Sequence, residues 1–229
     1  MTVAGAGTAA QEVTAGRYPV ELERDVRIPN GAEIHLRPIR PDDAPKLVAF
    51  HSSLSAQSVY LRFFTFHPVL TAREVERFTQ VDYADRLAFV VMDGARMVAV
   101  GRFDRVARSR RAEVAFVVDD DYQHQGIGTL LADELASAAR ARGIDEFVAD
   151  TLPENTSMLE MFRRTGFPVR SSYEDGLVRV RFAIEPVPAY VEALERREAR
   201  RRPPRRASGS ASPPSAGSNA RDGRGGAGR

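Results

Sequence analysis

The segment that organises the chain reads Gln123-His124-Gln125-Gly126-Ile127-Gly128-Thr129. It follows an apolar run at residues 112–118 and opens a helical pattern at residues 126–142. A strand that runs through a glycine-bearing turn into a helix forms an anion site, because the first N–H groups of a helix lack internal partners and carry partial positive charge. Gly126 and Gly128 have no Cβ, so a large phosphate-bearing ligand can approach the main chain closely. The segment therefore predicts a pyrophosphate site.

Two common glycine motifs fit this segment poorly. The dinucleotide fingerprint needs three spaced glycines, and the triphosphate loop needs a Gly-Lys pair, whereas the one lysine of the chain is Lys46. The segment resembles instead the coenzyme A loop of the GNAT family of N-acetyltransferases, which reads Gln/Arg-x-x-Gly-x-Gly/Ala. Gln123, Gly126 and Gly128 occupy its three fixed positions.

Bulk composition limits the class of protein. The chain has 229 residues, of which 43% are hydrophobic and 28% charged, as is usual for a globular protein with a substantial core. It has no cysteine, which excludes disulfides, thiolate metal sites and cysteine nucleophiles. The four histidines are scattered, so no metal site is predicted. No apolar run reaches the roughly 20 residues that span a bilayer, and residues 1–16 lack a signal-peptide pattern. These features favour a cytoplasmic protein without a membrane partner.

Charge divides the chain unevenly. Residues 196–229 hold ten arginines against Glu198 and Asp222, a net +8, so residues 1–195 sum to −6 within the total of +2. We expect a disordered N-terminal segment at residues 1–19, one domain at 20–185, a charged helix or linker at 186–202 and a disordered basic tail at 203–229. An arginine-rich tail can bind nucleic acid through charge. However, 32 of the 33 basic residues are arginine, a chain-wide bias that favours a tail without that function.

Periodicity and turn residues predict an α+β fold. Hairpins are expected at residues 20–28 with 32–39, 87–92 with 97–103, and 167–172 with 177–184, around Asn-Gly or Asp-Gly turns. Helices are expected at 41–50, 55–64, after Thr71, at 126–142 and at 155–165. The strand at 112–118 should pair in parallel with that at 147–152 through the long helix. The pattern indicates one mixed central sheet flanked by helices.

The same order of elements is found in the GNAT family, and the resemblance extends over residues 33–184. It implies strands that splay apart to form an acyl-CoA cleft, with acetyl-CoA as cosubstrate and no metal. It also implies that the backbone groups of Phe116, Val117 and Val118 contact the pantetheine arm and the thioester oxygen. The loop residues implied to bind the coenzyme are Gln123, His124, Gln125, Gly126, Ile127, Gly128 and Thr129.

A second motif follows the loop. Residues 155–167 resemble the family pattern Asn-x-x-Ala/Ser-x-x-Leu-Tyr-x-Lys/Arg-x-Gly-Phe. Asn155 is implied to reach the pantetheine arm, and it can also cap its helix. Phe162 stands in this coenzyme-binding motif where many members have the tyrosine that protonates the departing thiolate, and phenylalanine has no proton to donate. The catalytic acid is therefore left open between solvent, Tyr122 and Tyr173.

Glu113 is the candidate general base. Strand alternation places Glu113, Ala115 and Val117 on one face of the strand, and an acid buried in such an apolar run would have a raised pKa. From the residues alone, pairing with Arg108, Arg110 or Arg111 is the simpler interpretation. The segment Ala-Glu-Val-Ala-Phe, however, resembles the one that carries the glutamate base in bacterial protein lysine acetyltransferases, the branch that acetylates acetyl-CoA synthetase. Residues 36–43, 60–64 and 81–83 resemble the same branch.

The resulting hypothesis is direct transfer of an acetyl group from acetyl-CoA to a primary amine, with a protein lysine as the first candidate acceptor. A small-molecule amine acceptor and a non-catalytic acyl-CoA sensor are the alternatives, and the sequence leaves a homodimer open. Tyr60, Phe63 and Phe64 are expected to pack in the core. Asp82 and Tyr83 are expected either to stabilise a turn or to face the acceptor.

Overall fold

The computed structural model describes residues 16–201. The predicted disorder at 1–19 lies outside this range except for residues 16–19, and the predicted basic tail at 203–229 lies wholly outside it. The described residues before Val20 are packed: the Tyr18 ring meets the Tyr83 ring edge-on at 5.6 Å, and the Gly16 N–H donates to Asp82 O. Tyr18 and Gly16 thus contact the domain expected to begin at Val20.

Residues 16–201 contain one mixed sheet. Its strands are β1 (Arg24–Arg27), β2 (Glu33–Pro38), β3 (Arg86–Asp93), β4 (Arg96–Arg105), β5 (Arg111–Val118), β6 (Glu146–Thr151), β7 (Val169–Glu174) and β8 (Leu177–Ala183). They lie in the order β1-β2-β3-β4-β5-β6-β8-β7, and all neighbours are antiparallel except β5 and β6. This topology confirms the predicted α+β fold and the parallel crossover.

The helices of the described range are α1 (Ala44–Ser53), α2 (Ala56–Phe63), α3 (Ala72–Thr79), α4 (Ile127–Ala141), α5 (Thr156–Arg164) and α6 (Pro188–Arg201). Thr71 and Glu74 form the expected capping box at the start of α3, and Ser55 caps α2 by accepting from Ser58 N–H. Across residues 16–201, none of the helices has the length and apolar composition needed to span a membrane.

Two hydrophobic cores cover the central strands. Alternate residues of β3 enter different cores: Phe89 and Val91 join the core that contains α4, whereas Ala88 and Val90 join the core that contains α1. α4 lies close to β4 at Gly101, where an added Cβ would come within 3.1 Å of the Leu131 Cβ. Beyond β4, the face on the α1 side is open, because Glu113, Asp150 and Arg181 remain exposed there.

Helix α6 packs on the folded domain. The Tyr190 ring stacks on Phe167 at 4.0 Å, and Arg197 makes two hydrogen bonds to the buried Asp133 of α4 at 2.7 and 3.1 Å. Burial raises the pKa of Asp133, which the nearby Arg197 opposes. The charged segment after Pro186 is thus held against α4 and α5.

Candidate active site

The pairing of β5 with β6 ends early. The two strands are in register at Arg111–Glu146, Ala112–Phe147 and Glu113–Val148. β5 continues to Val118 without a further partner in β6, so the strands separate after Glu113. The splayed strands implied by the resemblance are present, and they leave one edge of β5 open.

Hydrogen-bond alternation decides which β5 groups face this open edge. The N–H of Asp119 donates to Val98 O across the β4–β5 pair, and the N–H of Val106 donates to Arg111 O. In an antiparallel pair only every second residue bonds to the partner, so the backbone groups of Val117 point toward β4. Those of Phe116 and Val118 point toward the opening, as does the Val118 carbonyl that accepts from Gln123 Nε2 at 3.2 Å. Of the three residues implied to contact the pantetheine arm through their backbone groups, Phe116 and Val118 are therefore the ones that face the opening.

A cleft of about 250 Å³ lies between β5, α2 and the start of α4 and α5. It is lined by nearly all of the predicted coenzyme residues: Phe116, Val117, Val118, Gln123, His124, Gly126, Ile127, Gly128, Thr129 and Asn155. We call this the coenzyme cleft. Gln125 is not part of its lining, because the Gln125 side chain contacts Asn30 Nδ2 at 2.6 Å and Asp121 O at 3.0 Å.

The start of α4 has the geometry of an anion site. Gly126 adopts φ +79° and is exposed, and His124 adopts φ +60°. The first intrahelical bond runs from Leu130 N–H to Gly126 O, so the N–H groups of residues 127–129 have no partner within the helix. These donors border the coenzyme cleft and suit a pyrophosphate.

The loop before α4 is bound to α2 by polar contacts that sequence reasoning missed. Asp120 accepts from Ser55 N–H, Ser55 Oγ and Ser58 Oγ at 2.7–2.9 Å. Burial opposes ionisation of Asp120, but these donors hold its pKa below the ordinary value. Gln123 Nε2 also donates to Ser58 Oγ at 3.2 Å. No local pattern could identify these pairs, because they join residues more than sixty positions apart in the chain.

A second cleft of about 570 Å³ lies on the open face of the sheet and contains Glu113. We call it the acceptor cleft. Phe116, Arg62 and Asn155 line both clefts, so the two clefts adjoin at these residues. A ligand held along the open edge of β5 would present its end to the acceptor cleft.

Glu113 is exposed, so the expected burial of this side chain is wrong. The alternation itself is correct, but the face that Glu113 shares with Ala115 is covered by helices only toward Val117. The simpler interpretation, an ion pair with a neighbouring arginine, also fails within the described residues: Arg110 pairs with Asp145, and Arg111 pairs with Glu146. Glu113 is thus an accessible carboxylate at the point where β5 and β6 part.

The second motif divides between a cap and the core. Asn155 Oδ1 accepts from Met158 N–H at 3.1 Å, which is the predicted cap of α5. Phe162 does not line the coenzyme cleft; it is 1% exposed and packs against Phe116 and Phe182. The motif position is thus filled by a core side chain whose ring borders the acceptor cleft.

The tyrosines considered as acids differ in position. Tyr122 lines the coenzyme cleft, and its hydroxyl donates to Asp93 Oδ2 at 2.5 Å; this hydrogen bond and burial raise the pKa of Tyr122. Tyr173 is 69% exposed on β7 and lines neither cleft. Of the two, only Tyr122 is near the coenzyme cleft.

The prediction that the aromatic residues at positions 60–64 pack in the core is only partly correct. Phe63 packs against the smaller core and stacks on His67 at 4.3 Å, as expected. Tyr60 and Phe64 are 40% and 37% exposed, so the core prediction is wrong for them, and Phe64 lines the acceptor cleft.

Asp82 and Tyr83 stabilise a turn instead of facing an acceptor. Asp82 Oδ1 accepts from the N–H groups of Ala84 and Arg86, and the buried Tyr83 donates its hydroxyl to Ile39 O. Between residues 16 and 201, no group of three or more His, Asp or Glu side chains is placed to hold a metal ion.

Comparisons with known proteins agree with this architecture. Residues 55–167 match the model of the acetyltransferase (GNAT) family. The chain is 34% identical to Acetyltransferase Pat of Mycolicibacterium smegmatis over 144 residues, which are 62% of this chain and 43% of that relative. The match therefore spans less than half the length of that relative.

Solved structures give the same result. The GNAT domain of S. lividans PAT superposes with a TM-score of 0.70 and 39% identity, over 73% of this chain and 99% of that domain. A cAMP-binding acyltransferase from Mycobacterium smegmatis gives a TM-score of 0.52 at 29% identity, over 78% of this chain and 54% of that protein. These matches confirm the resemblance to the branch of bacterial protein lysine acetyltransferases. The chain belongs to the acetyltransferase (GNAT) family.

Proposed function

We propose that this protein transfers an acetyl group from acetyl-CoA to a primary amine, with the lysine side chain of a protein as the acceptor. The observation that carries the proposal is that the two clefts adjoin at Phe116, with Glu113 three residues away on the same open strand. A thioester held at the open edge of β5 would thus lie beside a carboxylate that can accept a proton. The relatives named as acetyltransferases support the reaction class.

The residues fit the coenzyme. The unpaired N–H groups at the start of α4 suit its pyrophosphate, and the free edge at Phe116 and Val118 suits an extended pantetheine arm, which can pair with it like an extra strand. Bound acetyl-CoA would supply the activated thioester. Asn155 lines both clefts and is 8% exposed, and in this proposal it orients the arm.

Two groups of the chain act on the reacting atoms. Glu113 accepts a proton from the acceptor ammonium, directly or through one water, so that the amine nitrogen carries a free electron pair. The Phe116 N–H donates to the thioester oxygen as that oxygen gains negative charge. The proton that the departing sulfur needs comes from solvent or from Tyr122, whose hydroxyl donates a hydrogen bond to Asp93.

A protein acceptor is supported by exposed apolar side chains that follow Phe64 in the chain. Phe64 lines the acceptor cleft, and the loop between α2 and α3 leaves Phe66 82% exposed and Val69 69% exposed. Exposed apolar side chains of this kind are available to contact another protein.

The test combines binding and turnover. Acetyl-CoA binding is measured by isothermal titration for the wild type, Glu113→Gln and the control Glu76→Gln, which changes an exposed acid of α3 in neither cleft. Acetylation of lysine peptides and small amines is then followed by mass spectrometry. We expect all three proteins to bind and the Glu113→Gln variant to lose about 10²- to 10⁴-fold in kcat.

Each other result has a definite meaning. Transfer to small amines but to no peptide would assign a small-molecule acceptor. Binding without transfer by any of the three proteins would favour a non-catalytic acyl-CoA sensor. Absence of binding would show that the assignment of residues 123–129 is wrong.

A further inference from the structure

The lining of the acceptor cleft is rich in charged side chains. Three of them are acids, namely Asp104, Glu113 and Asp150. Six arginines lie there as well: Arg62, Arg77, Arg102, Arg111, Arg179 and Arg181. The lining is therefore basic, although residues 1–195 of the chain carry a net negative charge.

Four of these arginines have an acid of the chain within ion-pair distance, and Asp104 is shared by two of them and by Arg86. Arg102 and Arg77 pair with Asp104 at 2.8 and 3.7 Å. Arg179 pairs with Asp150 at 2.9 Å, and Arg111 pairs with Glu146 outside the lining. Among residues 16–201, Arg62 and Arg181 have no carboxylate within ion-pair distance.

An unpaired charge at Arg62 is energetically unfavourable, because the side chain is partly removed from water. It is half-buried at the end of α2, and its guanidinium lies over the Phe63 ring at 5.1 Å. Burial and then the nearby Arg102 lower the pKa of Arg62 to about 10, which leaves it charged at neutral pH. A partly desolvated cation without a partner is stabilised when a ligand brings an anion to it.

Arg181 lies on β8, which is separated from the strand of Glu113 by β6. Val148 is the register partner of Glu113 on one side and of Arg181 on the other, so the two charged residues are two strands apart. At the usual strand spacing their Cα atoms are roughly 10 Å apart. Consecutive residues of an extended peptide are about 3.8 Å apart, so acids two or three positions from a lysine at Glu113 can reach Arg181. Arg62 lines the same cleft from α2 and is the second unpaired cation that such acids can meet there.

Resting on the proposed function, we infer that the acceptor cleft selects lysines flanked by aspartate or glutamate, whose carboxylates bind Arg62 and Arg181. The same cations disfavour the charged form of the incoming ammonium, because like charges lower the pKa of an amine. Selection of the acceptor and deprotonation by Glu113 thus use one electrostatic arrangement.

The experiment uses the full chain, acetyl-CoA and three peptides with one lysine each. The peptides differ only at the positions flanking the lysine, which are Asp and Glu, Asn and Gln, or Arg. We expect kcat/KM for the acidic peptide to exceed that of the neutral peptide about tenfold and to approach it as salt screens the pairs. Arg62→Gln and Arg181→Gln should each reduce this ratio, whereas Arg73→Gln, an exposed arginine of α3 outside both clefts, should preserve it.

The outcomes separate the two proposals. Equal kcat/KM for all peptides, a preference for the basic peptide, or an unchanged ratio in both cleft variants would overturn the inference and leave the acetyltransferase intact. Better turnover of a free acidic amino acid than of the acidic peptide would also overturn it, because the carboxylate would then belong to a small molecule. Failure to acetylate any amine would instead refute the proposed function.

Discussion

Glu113 and Val148 are the last residues of β5 and β6 that remain in register. The two strands part immediately after this pair, and the Glu113 carboxylate therefore lies at the vertex of the opening. Glu113 lines the acceptor cleft and lies three residues from Phe116, which lines both clefts.

Shortening this side chain tests the importance of its reach. Glu113→Asp keeps the charge but withdraws the carboxylate by one methylene. Since misplacement by about 1 Å can cost about 10²-fold, we expect kcat to fall about 10- to 100-fold while acetyl-CoA affinity stays the same. Steady-state kinetics and titration measure the two quantities. Because Glu113 is exposed, the thermal midpoint should hardly change; a large drop in stability would reveal a structural role instead.

The two loop glycines should respond differently to alanine. Gly126 has φ +79° and open space where a methyl group would be added, so Gly126→Ala should cost about 1 kcal/mol of stability from backbone strain. Gly128 has helical backbone geometry, and its Cβ would lie 3.4 Å from Met161 Cγ inside the coenzyme cleft. Gly128→Ala should therefore weaken acetyl-CoA binding with little loss of stability. Urea denaturation measures the stability of the two variants, and titration with acetyl-CoA measures their affinity. Equal losses of affinity in both variants would contradict the prediction that the two glycines differ.

Asp43 should make the fold sensitive to acid. This buried carboxylate accepts from Arg37 at 2.6 and 2.7 Å and from Arg40 N–H at 2.9 Å. Burial opposes its ionisation, but these donors outweigh burial and hold the pKa of Asp43 below its ordinary 3.8. A lowered pKa stabilises the folded state above the ordinary value, and this contribution disappears as the pH falls through the folded pKa.

The corresponding variant is Asp43→Asn. It leaves Arg37 buried without its partner and should cost about 3 kcal/mol at pH 7. The difference from wild type should begin to shrink below about pH 4, where this carboxylate takes up a proton in the unfolded chain, and should disappear as the pH falls through the lower pKa of the folded state. Urea denaturation from pH 7 to pH 3 measures it, with the exposed neighbour Asp42→Asn as a control expected to change little. A stability difference between wild type and Asp43→Asn that stays constant with pH would show that ionisation of Asp43 is not its cause.

The attachment of α6 depends on Gly166. Its φ is +87°, and an added Cβ would lie 2.7 Å from Ala189 O and 2.9 Å from Tyr190 Cα. Gly166→Ala should therefore displace the start of α6 and destabilise the domain by about 2 kcal/mol or more. Gly176→Ala is the matched control, with φ +82° but no atom within 4 Å of the new methyl, and should cost only about 1 kcal/mol. Hydrogen exchange across α6 should rise in the first variant alone; equal protection in both would contradict the predicted clash.

The sequence by itself determined the order of strands and helices and the glycine turn at Gly126 that opens α4. These features depend on local period, turn residues and caps, which neighbouring residues specify. Tertiary structure alone decided that Glu113 is exposed, that Phe162 is buried, and that Val117 directs its backbone toward β4. It also brought Arg62, from α2, and Arg181, from β8, to the same cleft. The physical reason is that exposure and charge pairing depend on which distant strands and helices meet, and the pattern of a single segment does not contain that information.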